Sequence, residues 1–403
     1  MAIPPPPPPA GAGAGGTAAA GGNAPPTQKT SEIIGHLRPT KQFKFSTPTT
    51  IATSLSFDDT GELLLAALSD DSLQLYNVRE GVADKTLLSK KYGCHLARFT
   101  HHAQSIIYAS TKTDDGIRYL STHDNQYLRY FRGHTAAVTS LNLCPRDDTF
   151  VSSSVGDNTV RLWNLASANP HGKLSLAAPA LTAYDPTATV LAIASPATST
   201  ILLYDVRNFD RAPFITFDLA DLEATAPHIA RLATQGHSHP QDWTSLTFSN
   251  DGKCILLGTN SSAGHIVLDA FQGTAKAFLI RPSNALPLDP SRQRAAPWTP
   301  SSSQQQQQQA IGSGDVTLTP DGNFVLGASG LDRDLLVWDI TAAKARQSFE
   351  DAEVLHPVSA LPCKSAAGVV CFNHRYNMLA SAEREVVLWL PDEFVGNKKV
   401  GDE

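Results

Sequence analysis

The sequence predicts an all-β fold, a seven-bladed β-propeller, because one short strand pattern recurs seven times along its 403 residues. In each copy a small residue, an apolar residue and an aromatic or aliphatic residue precede a turn that contains Asp, Asn or Gly. The clearest copies are Ser54–Phe57, Ser140–Leu143 and Ser245–Phe248, and weaker ones end at Phe99, Tyr184, Leu318 and Phe372. Asp-Gly pairs favour tight hairpins, so each copy predicts the start of one antiparallel sheet.

Two further strands are predicted in every repeat. A stretch of aliphatic and small residues follows each turn, as in Glu62–Ser69 and Thr149–Ser154. A third strand then ends at a large apolar residue. These endings are Tyr76-Asn77, Tyr119-Leu120, Trp163-Asn164, Tyr204-Asp205, Leu268-Asp269, Trp338-Asp339 and Trp389-Leu390. The first four are spaced by about 40 to 45 residues, the period of one four-stranded blade.

The later spacings are longer, which predicts insertions at about 220–241 and 282–314, the second containing a run of six glutamines. Their Pro, Ser and Gln content cannot bury enough apolar surface to fold alone, so both are expected to be mobile. The predicted propeller covers residues 37–394. Residues 1–36 form a Pro/Ala/Gly-rich tail that is expected to be disordered, and residues 395–403 form a C-terminal tail. The alternating segment Lys41–Phe45 is predicted to close the ring as the outer strand of the last blade.

Composition disfavours several function classes. Asp and Glu (38) outnumber Lys and Arg (32), so direct nucleic-acid binding is not expected. The longest apolar stretch, Leu63–Leu68, is far shorter than the roughly 20 residues of a membrane-spanning helix, and no membrane association is expected. The five cysteines show no metal-ligand or disulfide spacing. Nucleophile-elbow, phosphate-loop and zinc-protease motifs are absent, so no catalytic residue, cofactor or metal is predicted. His101-His102 is interpreted as a pair of solvated loop histidines.

Blade three carries the fullest repeat. Its Gly133-His134, the Ser152–Ser154 run, Asp157 and Trp163 resemble the WD-repeat signature, in which these side chains form a buried hydrogen-bond chain. The predicted structural tetrad is His134, Ser153, Asp157 and Trp163. Alignment on the third-strand endings puts Asp70, Asp114, Asp332 and Glu383 at the position of Asp157. These acids are therefore expected to be structural as well.

A more specific resemblance lies at the junction of the first two blades. Leu87–Gly93, Asp114-Asp115, Ile117–Ser121, His123–Asn125 and Tyr127–Phe131 resemble the WD-repeat subunit of COMPASS, of the fungal type with low-complexity insertions. Further similarity lies in Asp147–Phe150, Val160–Trp163, Leu203–Arg207, Phe217, Phe248–Lys253, Asp269–Phe271 and Trp389–Pro391, and it covers roughly residues 37 to 394. This family implies a nuclear, non-catalytic scaffold of the complex that methylates lysine 4 of histone H3. Its implied partners are the methyltransferase subunits, the phosphorylated tail of RNA polymerase II, and the cleavage and polyadenylation factor. The alternative is an adaptor of another complex, such as a substrate receptor of a ubiquitin ligase.

The expected docking face is the rim that carries the turns between second and third strands and the connections between blades. There Asp71 and Asp115 are predicted to be free acids that receive an arginine of a partner. Lys90, Lys91 and Arg132 are predicted to pair with phosphate on the same rim, which also carries Tyr92 as a predicted partner-binding residue. The equally weighted alternative is a solvated rim without a partner.

Overall fold

The computed structural model describes residues 29–219, 243–259, 264–281, 316–328, 334–346, 352–363 and 367–392. Within them, seven antiparallel sheets form the seven blades of a propeller, which confirms the predicted fold class. Both predicted insertions, residues 1–28 and the C-terminal tail lie outside the described residues, as do Asp332 and Trp298.

The blades follow one another along the chain. Blade one consists of β2 (Ala52–Phe57), β3 (Leu63–Leu68), β4 (Ser72–Asn77) and β5 (Val82–Leu88). Blade two consists of β6 (His95–Phe99), β7 (Ser105–Ala109), β8 (Ile117–Ser121) and β9 (Tyr127–Phe131). Blade three consists of β10 (Ser140–Leu143), β11 (Thr149–Ser154), β12 (Thr159–Asn164) and β13 (Gly172–Ser175). Blades four and five are β14 (Leu181–Tyr184), β15 (Val190–Ser195), β16 (Thr200–Asp205) and β17 (Ile215–Asp218); and β18 (Trp243–Phe248), β19 (Cys254–Thr259), β20 (Gly264–Asp269) and β21 (Ala275–Ile280). Blade six is β22 (Val316–Leu318), β23 (Phe324–Ala328), β24 (Leu335–Asp339) and β26 (Ser359–Leu361), and blade seven is β27 (Val369–Phe372), β28 (Leu379–Ala382), β29 (Glu385–Pro391) and β1 (Leu37–Lys44).

The first strands of consecutive blades contact one another in a closed ring, so they surround the central channel. Because each sheet is antiparallel, the turns between second and third strands and the connections between blades share one edge of the ring, which we call the upper rim. The hairpins after the first and third strands lie at the opposite edge, the lower rim. Asp251-Gly252 and Asp321-Gly322 turn there with the positive φ that the sequence predicts for Gly252 (68°) and Gly322 (66°).

Apolar layers between neighbouring blades form the core. Alternate residues of one strand face opposite neighbours: Phe150 packs with Trp163 against blade two, whereas Val151 packs with Leu162 against blade four. Blade two departs from the predicted alignment by one residue. Leu120 lies opposite Ile106 in blade two, as Trp163 lies opposite Phe150 in blade three. The third-strand ending of blade two is therefore Leu120-Ser121 instead of the predicted Tyr119-Leu120.

The ring closes as predicted but with a longer strand. β1 pairs antiparallel with β29 from Leu37 opposite Pro391 to Lys44 opposite Glu385. The described structure also begins before residue 37, the predicted start of the propeller. A short helix, α1 (Thr30–Ile33), and a 3-10 turn (Ile34–His36) precede β1, and Ile33 and Ile34 are buried. Ile34 packs with Leu37 in the core between blades six and seven, so these apolar residues are the reason that residues 30–36 are ordered.

Two elements in the segment between β24 and β26 were not predicted. A second helix, α2 (Thr341–Ala345), follows β24, and a short strand, β25 (Glu353–Leu355), then pairs parallel with β21. Blade five therefore gains a fifth strand from its neighbour. In the described part of the chain, no helix is long and apolar enough to cross a membrane.

Candidate docking site on the upper rim

Blade three contains a hydrogen-bond chain that runs from its third strand to the upper rim. Trp163 Nε1 donates to Ser152 Oγ over 2.8 Å, and Ser152 Oγ lies 2.7 Å from His134 Nε2. His134 Nδ1 lies 2.8 Å from Asp157 Oδ2. Burial lowers the pKa of His134, while hydrogen bonds from Thr159 and His134 outweigh burial and lower the pKa of Asp157. The chain is therefore complete with a neutral imidazole that donates from Nδ1 and accepts at Nε2.

The prediction that Ser153 belongs to this hydrogen-bond chain is wrong. Ser152 occupies the position because it shares a strand face with Phe150, which lies opposite Trp163. Ser153 lies on the other face, where its Oγ donates to the carbonyl of Ala180 in blade four over 3.0 Å. His134, Asp157 and Trp163 take their predicted places.

Of the aligned acids that the structure describes, Asp70, Asp114 and Asp157 adopt one common turn, whereas the carboxylate of Glu383 forms no such hydrogen bond with the described residues. The carboxylate of Asp157 accepts the backbone N–H of Thr159 at 3.0 Å, and Asp70 accepts from Ser72 at 3.1 Å in the same way. Asp114 accepts from Gly116 at 3.2 Å. Each carboxylate thereby fixes the turn into its third strand.

The connection between blades one and two is bonded to the turn of blade two. The carbonyl of Tyr92 accepts the backbone N–H groups of Thr111 (3.0 Å) and Lys112 (2.9 Å), and Thr113 Oγ1 donates to the Lys91 carbonyl over 2.7 Å. Gly93 has φ 70°, and a Cβ there would lie 1.9 Å from Thr111 Oγ1. This glycine is therefore required both by the turn and by the close approach of the two segments.

Asp71 and Asp115 are not equivalent. Lys112 Nζ forms an ion pair with Asp71, so the prediction of a free acid at Asp71 is wrong. Asp115 is half-buried and forms no hydrogen bond or ion pair with the described residues. Burial raises its pKa, and the negative charges of Asp114 and Asp157 raise it further. A carboxylate in this position is stabilised by an added cation.

Three tyrosines form a cluster beside Arg118, which we call the tyrosine cluster: Tyr92, Tyr127 and Tyr130, with ring centroids 5.4 to 6.4 Å apart. The guanidinium of Arg118 lies over Tyr92 at 4.0 Å and over Tyr130 at 4.7 Å. Arg118 is buried, and its NH2 group bonds both carboxylate oxygens of Asp114 at 2.6 and 2.7 Å. The tyrosine cluster therefore already contains a cation, the guanidinium of Arg118, and Asp114 neutralises its charge.

The predicted basic residues lie around this cluster. Lys90 and Lys91 are exposed at its blade-one side, with Lys91 Nζ 5.1 Å from the centroid of Tyr92. Arg132 is exposed at its blade-three side, with its guanidinium 5.8 Å from the centroid of Tyr130. The structure thus brings Lys91, Tyr92 and Arg132 together through the tyrosine cluster.

Comparison with known proteins agrees with this architecture. Residues 125–164, the outer strand of blade two and most of blade three, match the family described as WD domain, G-beta repeat. COMPASS component SWD2 of Saccharomyces cerevisiae is 34% identical over 344 residues, which are 85% of this chain and 91% of that protein. The chain belongs to the WD-repeat family of SWD2.

Other members of the SWD2 family are also similar to this chain. WD repeat-containing protein 82 of Drosophila melanogaster is 36% identical over 342 residues, 84% of this chain and 90% of that protein. Set1 complex component swd2 of Schizosaccharomyces pombe is 44% identical over 245 residues, 61% of this chain and 64% of that protein. This chain covers less than two thirds of that last relative.

Four residues of this site were not predicted from the sequence as docking residues: Arg118, Tyr127, Tyr130 and Lys112. The first three lie in segments that carry the resemblance to the WD-repeat subunit of COMPASS. Arg118 occupies a strand position that holds Gln74 in blade one, which predicts a solvated side chain. The signal that could have found it is the pair of tyrosines in the segments on either side of its strand, since aromatic faces can enclose a guanidinium.

His101 is not a solvated loop histidine as predicted. Its Nδ1 lies 2.7 Å from Asp59 Oδ2 in blade one, and its Nε2 lies 2.9 Å from the carbonyl of Cys144 in blade three. Both partners accept hydrogen bonds, and only the imidazolium has two N–H donors. Burial acts to lower the pKa of His101, but the hydrogen bonds that it donates to Asp59 and to the Cys144 carbonyl outweigh burial and raise the pKa. His101 therefore links three blades at the lower rim when it is protonated.

This geometry predicts a pH-dependent contribution to stability. Because the folded-state pKa of His101 is raised, the contribution is complete below the unfolded-state pKa of about 6.5 and is lost as pH rises through the folded-state value. The measurement is the free energy of unfolding of wild type and His101→Gln across this range. We expect the difference between them to shrink as pH rises, and Asp59→Asn to remove the same pH-dependent difference. A difference that is constant with pH would contradict the two-donor assignment.

Among the described residues, no group of three or more His, Cys, Asp or Glu side chains is arranged to hold a metal ion. The described residues of the upper rim present charged and aromatic side chains, namely Asp115, Lys90, Lys91, Arg132 and the tyrosine cluster.

Proposed function

We propose that this chain is a non-catalytic docking subunit of a COMPASS-type complex that methylates lysine 4 of histone H3, and that it acts in the nucleus. The observation that carries the proposal is the match to COMPASS component SWD2, which extends over 91% of that protein. The name of the swd2 relative, a Set1 complex component, supports the same assignment. Propellers present several loops on one rim and are well suited to hold partner segments.

The docking of the methyltransferase subunit is assigned to Asp115. This carboxylate has no partner among the described residues, and burial together with Asp114 and Asp157 disfavours its charge. An arginine or lysine of a partner would remove this destabilisation on binding. Asp71 is not assigned to this contact, because Lys112 already neutralises its charge.

The phosphorylated tail of RNA polymerase II is assigned to Lys90, Lys91 and Arg132. Their charges stand at the two sides of the tyrosine cluster, and neither Lys90 nor Arg132 forms an ion pair with the described residues. Phosphate groups gain charge-assisted hydrogen bonds from such side chains, and tyrosine rings provide rigid apolar contact to the intervening peptide. Through this contact the chain would link the methyltransferase to transcribing polymerase. The family resemblance extends the proposal to the cleavage and polyadenylation factor as a second host assembly.

Charge reversal distinguishes the two assignments. Asp115→Lys should weaken binding of the methyltransferase subunit by about tenfold, which corresponds to about 1.4 kcal/mol, and leave phosphopeptide binding intact. The double variant Lys90→Glu/Lys91→Glu should weaken binding of a phosphorylated polymerase-tail peptide and leave methyltransferase binding intact. Binding is measured by titration of purified partners into the full chain, with melting temperature as the folding control.

Lys253→Glu is the matched control, because Lys253 is exposed in a hairpin of the lower rim. It should change neither affinity. If the folded upper-rim variants bind both partners with wild-type affinity, docking uses another surface and the residue assignments are wrong.

A further inference from the structure

The central channel contains an arginine whose charge is not balanced by the described residues. Arg98 lies on β6, the first strand of blade two, and its NH1 group donates to the carbonyls of Leu55 (3.1 Å) and Ala97 (3.2 Å). Leu55 belongs to the first strand of blade one, so the side chain reaches across to a neighbouring blade. The structure gives the Nε and NH2 groups of Arg98 no hydrogen-bond partner in the described part of the chain. Of the five N–H donors of a guanidinium, three are therefore free for a ligand.

The groups that face Arg98 do not compensate its charge. No Asp or Glu among the described residues forms an ion pair with it, and its titratable neighbours are His95 and Cys371. Burial, followed by the charge of Arg98, lowers the pKa of His95 to about 4, so His95 is neutral at physiological pH. Burial raises the pKa of the Cys371 thiol, which lies on the first strand of blade seven and is therefore also uncharged. The described surroundings of Arg98 thus carry one net positive charge.

The corresponding positions of the other blades are neutral. The register that places Arg98 opposite Ile107 places Ser56, Asn142, Ala183, Thr247, Thr317 and Cys371 at the same position of their first strands. The hydroxyl of Thr247 is buried without a hydrogen-bond partner among the described residues. A β-bulge between His95 and Arg98, with Leu96 at φ 52°, sets the orientation of Arg98 within its strand.

We propose that the central channel binds a small inorganic anion, such as chloride or phosphate, through the guanidinium of Arg98. A partly buried and uncompensated cation is disfavoured by burial, and an anion that accepts its free N–H groups reduces this cost. The binding site lies where blades one, two and seven meet the channel. It is separate from the upper-rim surface and does not depend on the proposed function.

The test compares the melting temperature of the full chain in sodium gluconate with that in sodium chloride or sodium phosphate of equal ionic strength. Wild type should gain about 2 °C in the small anions, as expected for a ligand of millimolar affinity. Arg98→Gln should lose this gain and should melt above wild type in gluconate, because it no longer carries the uncompensated charge. Arg98→Lys should keep part of the gain. Arg207→Gln, which removes an exposed arginine charge, should respond as wild type does.

Equal gains in wild type and Arg98→Gln would overturn the proposal, and so would the absence of a gain in wild type. If Arg98→Gln does not fold, the site can be tested by anomalous diffraction from crystals of wild type grown with bromide. An anomalous peak within hydrogen-bonding distance of Arg98 supports the site, and a channel without such a peak contradicts it.

Discussion

A chain that lacks residues 1–44 should fail to give a soluble, cooperatively folding protein, whereas a chain that lacks residues 1–28 should melt with the full-length protein. The reason is that β1 supplies the outer strand of blade seven and thereby joins the two ends of the ring. Without β1, one edge of β29 is unpaired, and an open edge of this kind promotes aggregation.

A third truncation, intermediate between the removal of residues 1–28 and of residues 1–44, distinguishes the stability that ring closure contributes from the stability that packing of the preceding residues contributes. Deleting residues 1–36 keeps β1 but removes Ile33 and Ile34, which are buried. Since burial of one such side chain contributes about 1.5–3 kcal/mol, we expect the loss of both to lower the free energy of unfolding by roughly 3–6 kcal/mol, with a lower melting temperature and a retained fold. Thermal melts of the three truncated chains provide the measurement. If the chain without residues 1–44 melts with wild type, the closure assignment is wrong.

Trp163→Ala should have the largest effect of any single substitution considered for blade three. Trp163 is fully buried between Phe131 and Phe150, with ring centroids at 5.6 and 6.0 Å, and it donates to Ser152. Loss of this aromatic volume should lower the free energy of unfolding by roughly 3–5 kcal/mol, measured by chemical denaturation.

Matched variants divide this effect into its parts. Trp163→Phe keeps most of the apolar volume and removes the N–H donor, so it should cost about 1–2 kcal/mol. Ser152→Ala should cost a similar amount and should not add to Trp163→Phe, because both break the same chain. Trp298→Ala, in the predicted insertion outside the described residues, should be nearly silent. Equal losses for Trp163→Ala and Trp298→Ala would refute the repeat alignment.

The features that the sequence predicted correctly depend on local patterns. The seven strand-and-turn copies, the hairpins at Asp251-Gly252 and Asp321-Gly322, and the closing strand follow from periodicity and turn chemistry, which act over a few residues. The resemblance to the WD-repeat subunit of COMPASS was confirmed by the SWD2 relatives.

The features that it did not predict depend on which segments meet in space. Period-two alternation shows that Ser152 and Ser153 lie on opposite faces, but the choice of Ser152 follows from its register opposite the Trp163 strand. The ion pair of Asp71 with Lys112 joins two blades, and the parallel pairing of β25 with β21 joins two others. Such contacts between blades leave no periodic signal in the sequence.

Docking of this chain in a COMPASS-type methyltransferase complex through the upper rim can be tested by affinity purification from nuclear extract, followed by chemical cross-linking and identification of the linked peptides. We expect recovery of methyltransferase subunits with cross-links from Lys90 or Lys91 of the upper rim. Recovery of a cullin adaptor in their place, or methyltransferase cross-links confined to Lys253 of the lower rim, would contradict it.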